Sequence, residues 1–144
     1  MSSFTDPFAA RILIVDDQES NLRLLEYALS RSGYVAVGST NDPKHVVPLH
    51  AANDYDLILL DLQMPVMSGF DVLAALRGTA GTNVAVLVLS ADPNQMVRAL
   101  ETGADGFLAK PFVITEVLHQ VKMLLERGGS GPITPTRDSL PAAA

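Results

Sequence analysis

Cysteine is absent from the 144 residues, which excludes disulfides and thiolate metal sites and is compatible with a reducing compartment. Positive charge is scarce. Ten Lys and Arg stand against sixteen Asp and Glu, a net charge of −6, and no basic stripe runs along the chain, so direct binding to nucleic acid is not expected. Long apolar runs are missing as well: the longest have the length of a strand, too short to span a membrane. The start, Met1-Ser2-Ser3-Phe4-Thr5-Asp6-Pro7, lacks the basic region and long apolar stretch of a signal peptide. These absences lead us to expect a cytoplasmic protein. His45, His50 and His119 share no metal-ligand spacing and are expected at the surface.

What is present is the composition of one ordinary domain, 48% hydrophobic. Short apolar runs alternate with segments of helical period. Continuous Val/Ile/Leu runs are the mark of parallel strands covered on both faces. Strands are predicted at 11–15, 34–39, 56–61, 84–89 and 106–109, the second being short and broken by Gly38. A first helix is predicted over Ser20 to Arg31, with Leu22, Leu25 and Leu29 on one face and Gly33 as its stop. A second starts at Asp42 with Pro43 in its first turn. Pro48 should make it short, kinked or frayed. A third follows Ser68-Gly69. A fourth takes Asp92 as N-cap and Pro93 as first residue and stops near Gly103, and a fifth covers Ile114 to Arg127. Five such βα repeats give an α/β fold, a doubly wound parallel sheet with helices on both faces. From about residue 128 to 144 the composition turns to Gly, Ser, Pro and Ala, read as a tail or linker, and residues 1–9 are read as an N-terminal extension.

In a doubly wound sheet the site lies at the carboxyl ends of the strands. Here the apolar runs end in polar groups: Asp16-Asp17 after Val15, Asp61 after Leu60, Ser90 after Leu89, Lys110 after Ala109. A carboxylate at the end of a buried strand is costly unless something pairs with it. Three converging carboxylates raise one another's pKa, and a hard divalent cation such as Mg²⁺ relieves that repulsion with oxygen ligands and retained waters. Asp17, Asp61 and a backbone carbonyl suit such an ion, with Asp16 orienting a coordinated water. One oxygen of Asp61 is then placed to attack phosphorus, and Lys110 and Ser90 to contact the phosphoryl oxygens. Each feature has a plainer reading by itself. Asp16-Asp17 suits a helix N-terminus, Ser90 a turn, and Lys110-Pro111 a strand end.

Taken in order, the motifs resemble the receiver domains of two-component response regulators. They are Ile12-Leu13-Ile14-Val15-Asp16-Asp17, Leu59-Leu60-Asp61-Leu62-Gln63-Met64-Pro65 with Ser68-Gly69, Leu89-Ser90-Ala91, and Gly103-Ala104-Asp105-Gly106-Phe107-Leu108-Ala109-Lys110-Pro111-Phe112. The resemblance covers residues 10–127. It implies a CheY-like (flavodoxin-like) five-stranded parallel sheet in the order 2-1-3-4-5. It implies Asp61 as phospho-acceptor, Asp16 and Asp17 as the acidic pocket for Mg²⁺ (Mn²⁺ substituting), and the Gln63 backbone carbonyl as a further ligand. Ser90 becomes the switch hydroxyl, Lys110 the phosphate-contacting lysine and Phe107 the switch aromatic. Phenylalanine lacks the tyrosine hydroxyl of many relatives. The phosphoryl donor implied is a histidine kinase or a histidine phosphotransfer protein, and the output is a change in the face of helix four, strand five and helix five. Gln63 and Asp92, two residues beyond Asp61 and Ser90, are expected to flank the attacking water and to give moderately fast self-dephosphorylation. The other reading of Asp92 is a plain N-cap.

The rival enzyme is an aspartate-nucleophile phosphatase or phosphotransferase. It would want a second carboxylate just after the nucleophile, and Leu62-Gln63-Met64 supplies none. A flavodoxin-like nucleotide binder would want a Gly-rich phosphate loop after the first strand, where none stands. Helix five is apolar over a wide arc, more than a core needs, which suggests a partner face or a homodimer through helix four, strand five and helix five.

Overall fold

The computed structural model describes residues 6–78 and 83–127. The apolar runs pair as parallel strands in one five-stranded sheet: β1 (Arg11–Val15), β2 (Ala36–Thr40), β3 (Leu57–Asp61), β4 (Ala85–Ser90) and β5 (Gly106–Ala109), in the order β2-β1-β3-β4-β5. Between them run α1 (Glu19–Arg31), α2 (Val46–Asn53), α3 (Gly69–Gly78) and α4 (Met96–Thr102), and α5 (Ile114–Glu126) follows β5. This is the double winding that the alternating runs predict and the strand order that the resemblance implies.

Alternate strand residues face opposite sides. Ile12, Ile14, Leu57, Leu59, Leu87 and Leu89 meet Leu22, Leu25 and Leu29 of α1 and Val117, Val121, Leu124 and Leu125 of α5. Leu13, Val15, Ile58, Leu60, Val86 and Val88 meet α2, α3 and α4 through Val46, Phe70, Leu73, Leu76 and Ala99. Every residue of β3 and β4 is buried, which is why those strands read as unbroken apolar runs. The apolar arc of α5 is largely core, with Val113 just before it and Met123 left exposed.

Some local expectations are corrected. The second strand begins at Ala36, not at Tyr34. The Tyr34 N–H closes the end of α1 on the Leu29 carbonyl, and Gly33 before it takes a left-handed φ of 109°. The Tyr34 ring then turns inward, edge-on to Phe8 at 5.2 Å between centroids. Phe8 belongs to a short 3₁₀ turn, Pro7–Ala9, whose first residues are capped by Asp6, and the Val35 N–H bonds the Phe8 carbonyl. Residues 6–9 thus brace the far end of the sheet. The second and fourth helices do not start as α-helix at Asp42 and Asp92. Each aspartate caps a 3₁₀ turn, Pro43–His45 and Pro93–Gln95, from which the α-helix continues. Of the outcomes expected for the helix with Pro48, short is the one found: α2 has eight residues, and Pro48 is its third, where its missing N–H has no partner within the α-helix to lose and so does not kink the interior. His50 is not a free surface residue. Its Nδ1 accepts the Tyr55 N–H at 3.1 Å, its ring stacks on Tyr55, and burial pushes its pKa down. His45 and His119 are exposed. The predicted tail at 128–144 lies outside the described residues.

Candidate phosphoryl-acceptor site

β1, β3 and β4 deliver Asp16, Asp61 and Ser90 to one edge of the sheet, all three buried. Lys110, one residue past β5, reaches back across that edge. Its Nζ lies 3.0 Å from Asp16 Oδ2 and 3.3 Å from Asp61 Oδ1. Its backbone N–H bonds the Ser90 carbonyl at 2.7 Å, so the β4–β5 ladder fixes where the lysine leaves the chain. Asp17 is exposed at the rim. Oxygens of Asp16, Asp17 and Asp61 lie within 4.8 Å of one another.

Two carboxylates are held by donors of their own. Asp16 Oδ1 accepts the Gln18 N–H at 2.9 Å, and Oδ2 accepts Asn21 Nδ2 at 3.2 Å. Asp61 Oδ1 accepts the Gln63 N–H at 3.2 Å. Those donors and Lys110 do not balance the site. Burial first, and the Asp16 charge second, push the Asp61 pKa up to about 6 against the pull of Lys110. Three carboxylates facing one ammonium, all oxygen donors and one edge open to solvent, form a set that fits a hard divalent cation.

Gly69 sets how closely α3 approaches this site. A Cβ there would lie 2.5 Å from the Asp61 carbonyl oxygen and 2.5 Å from Leu62 Cα. Both are backbone atoms, so nothing flexible can yield. Gly69→Ala is expected to cost about 2 kcal/mol or more. Urea unfolding checks this, and a loss below about 0.5 kcal/mol would contradict the close packing.

The remaining predicted residues are placed as follows. Ser90 is fully buried. Its hydroxyl accepts the Asp92 N–H at 3.1 Å and donates to Gln95 Oε1 at 2.5 Å, not to Asp61. Phe107 pairs with Val88 across the β4–β5 ladder and is half-buried against the α2–α3–α4 side of the core. Asp92 Oδ1 accepts the Asn94 N–H at 2.9 Å, the capping role of its two readings. The Gln63 side chain is exposed. The sequence does not single out Asn21 or Gln95, and it marks Gly69 only as a motif residue ahead of the third helix, without its close packing on Asp61 and Leu62. An aspartate two residues before a helix N-cap is a signal for the Asp16–Gln18 turn. No local signal pairs Gln95 with Ser90.

The profile of the response regulator receiver domain matches residues 12–122. The chain belongs to that family. It is 42% identical over 122 residues to the transcriptional regulatory protein PrrA of Mycobacterium tuberculosis, covering 83% of this chain and 52% of PrrA. It is 38% identical over 126 residues to PcoR of Escherichia coli, covering 86% of this chain and 55% of PcoR. This receiver chain therefore spans about half the length of the curated relatives it matches. The receiver domain of Francisella response regulator 1452 superposes with a TM-score of 0.76 at 29% identity, over 82% of this chain and 98% of that one. The receiver is thus a signalling domain of two-component response regulators, a family in which phosphorylation on aspartate is typical. Among its described residues no helix is long and apolar enough to cross a membrane.

Proposed function

We propose that Asp61 of this receiver accepts a phosphoryl group from the phosphohistidine of a partner kinase or phosphotransfer protein. The observation that carries the proposal is the buried Asp61 carboxylate, bracketed by Lys110 and by two further carboxylates within 4.8 Å. With its pKa near 6, Asp61 is mostly ionised at neutral pH, so the attacking oxygen needs no base. The Asp61 oxygen forms the new O–P bond as the N–P bond of the donor breaks, and the imidazole nitrogen keeps the electron pair. Asp17, Asp61 and the Gln63 carbonyl would hold Mg²⁺ or Mn²⁺ with Asp16 behind it. When bound, that ion neutralises charge on the phosphoryl oxygens. Lys110 stands ready to move its ammonium from the two carboxylates to a phosphoryl oxygen. Asn21 and the Gln18 N–H keep Asp16 in place when it does so.

The phosphoryl group on Asp61 offers Ser90 a charged acceptor. Turning the hydroxyl toward it changes the packing at the end of β4, where half-buried Phe107 lines the neighbouring strand. That biases the face of α4, β5 and α5 between two arrangements. Met96, Val97 and Leu100 already stand exposed on that face and suit a partner domain or a second copy. The relatives are named transcriptional regulators, and transcriptional control in the cytoplasm is the output proposed here, reached through this face.

A small-molecule phosphodonor with Mg²⁺ should add one phosphoryl group, read by intact mass. Labelling should fail when EDTA is present from the start, and the label should decay within minutes to hours once the donor is removed with Mg²⁺ still present. Labelling that proceeds without any divalent metal, or that adds to histidine rather than aspartate, would sink the proposal.

A further inference from the structure

The Ser90 hydroxyl has one proton and two acceptors within reach, Gln95 Oε1 at 2.5 Å and the Asp92 carbonyl at 3.4 Å, and the much shorter bond to Gln95 takes it. Gln95 is half-buried and closes the 3₁₀ turn Pro93–Gln95, and α4 starts at the next residue. The bond from Ser90 Oγ to Gln95 Oε1 therefore ties the end of β4 to the start of α4. The other end of α4 is held differently. The carbonyl of Gly103, which ends α4, accepts Arg77 Nε at 3.0 Å and Nη2 at 2.8 Å. A charged fork grips the carboxyl end. At the amino end the tie to the site is a neutral hydrogen bond from the residue read as the switch.

We propose that Gln95 is a positioning residue, a latch that keeps Ser90 turned away from Asp61 in the resting protein. The inference rests on the reading of Ser90 as the switch hydroxyl. Ser90 cannot give its proton to a phosphoryl oxygen and to Gln95 at once. The charged acceptor is the stronger of the two, so phosphorylation wins the proton and frees Gln95. The amino end of α4 is then released and the Arg77 end stays as the pivot. Exposed Met96 and Val97, directly after Gln95, move most. Because the latch stabilises only the resting arrangement, it weakens every ligand that needs the active one.

Beryllofluoride with Mg²⁺, a stand-in for the phosphoryl group, tests this on the intact chain by calorimetry, with the backbone amide signals of Met96 and Val97 followed by NMR. Gln95→Ala should bind about fivefold more tightly, the population shift of one lost neutral hydrogen bond, with resting amide signals displaced toward their bound positions. Gln95→Glu puts a charged acceptor at that place, so it should keep the resting signals and bind beryllofluoride more weakly than the wild type. In a Ser90→Ala background, Gln95→Ala should change nothing further. If Ser90→Ala blunts the amide response while Gln95→Ala binds like wild type, the latch is wrong and the switch stands. If Ser90→Ala leaves binding and amide response untouched, the switch reading falls and the latch with it.

Discussion

Asp61→Asn is expected to lose phosphoryl labelling altogether and, without metal, to be more stable than the wild type. The first effect removes the nucleophilic oxygen. The second follows from the cost of keeping that oxygen ionised. The side chain is 3% exposed, and its pKa rises from an ordinary 3.8 to about 6, by burial first and the Asp16 charge second. A carboxyl whose pKa is raised on folding favours the folded state when protonated. Its ionisation lowers stability as pH climbs from 3.8 through about 6, and the full penalty persists above that. Asparagine keeps an oxygen for the Gln63 N–H and for Lys110 and carries no charge. In EDTA at about pH 7.5 the variant should gain about 1–2 kcal/mol in urea unfolding, and the gain should vanish near pH 4. Adding Mg²⁺ should raise the wild type more than the variant, because an ion bound only by the folded state stabilises it by mass action. Equal stability at pH 7.5 would mean that Lys110 already neutralises the site.

The stability penalty at Asp61 is also what made the site legible. Parallel strands covered on both faces leave no polar positions, so a carboxylate, a hydroxyl and a lysine at the ends of apolar runs stand out against their background. The same physics blurred β2, the edge strand. Tyr34 reads as strand because it is apolar and adjacent, but its buried ring belongs to the Phe8 contact and its backbone to the end of α1. The 3₁₀ turns after Asp42 and Asp92 carry the same Asp-Pro signal as an α-helix start, and only backbone hydrogen bonding separates the two. Gln95 and Asn21 were invisible for another reason. An amide side chain gains meaning from what it touches, and the four residues between Ser90 and Gln95, or Asp16 and Asn21, pass from a loop into a helical turn and fix no direction in advance.

Arg77→Ala is expected to remove about 3–4 kcal/mol of stability, among the largest effects of any single substitution in this fold. Arg77 sits in the last turn of α3, where a basic residue usually faces solvent. Its side chain is only 23% exposed. Nη1 bonds the Val84 carbonyl at 2.7 Å, Nε and Nη2 bond the Gly103 carbonyl, and Nη2 lies 2.9 Å from Asp105 Oδ2. The same Asp105 oxygen accepts the Val86 N–H at 2.9 Å, so one guanidinium joins α3, the start of β4 and the turn between α4 and β5. Alanine would strip the donors from two carbonyls and leave the Asp105 carboxylate, 4% exposed, without its main counter-charge. Burial already pushes the Asp105 pKa up, and Arg77 is among the groups that pull it back. Without Arg77 it rises further, so the variant loses stability as pH rises through that pKa and recovers part of it in acid, where Asp105 is neutral. Arg77→Lys should recover less than half of the loss, because one ammonium cannot follow the fork to three acceptors. Urea unfolding at pH 5 and pH 7.5 separates these terms. A loss under about 1 kcal/mol at pH 7.5 would mean that water replaces the guanidinium cheaply. In that case α4 would have no fixed end to turn about, and the Gln95 latch would have to hold the helix alone.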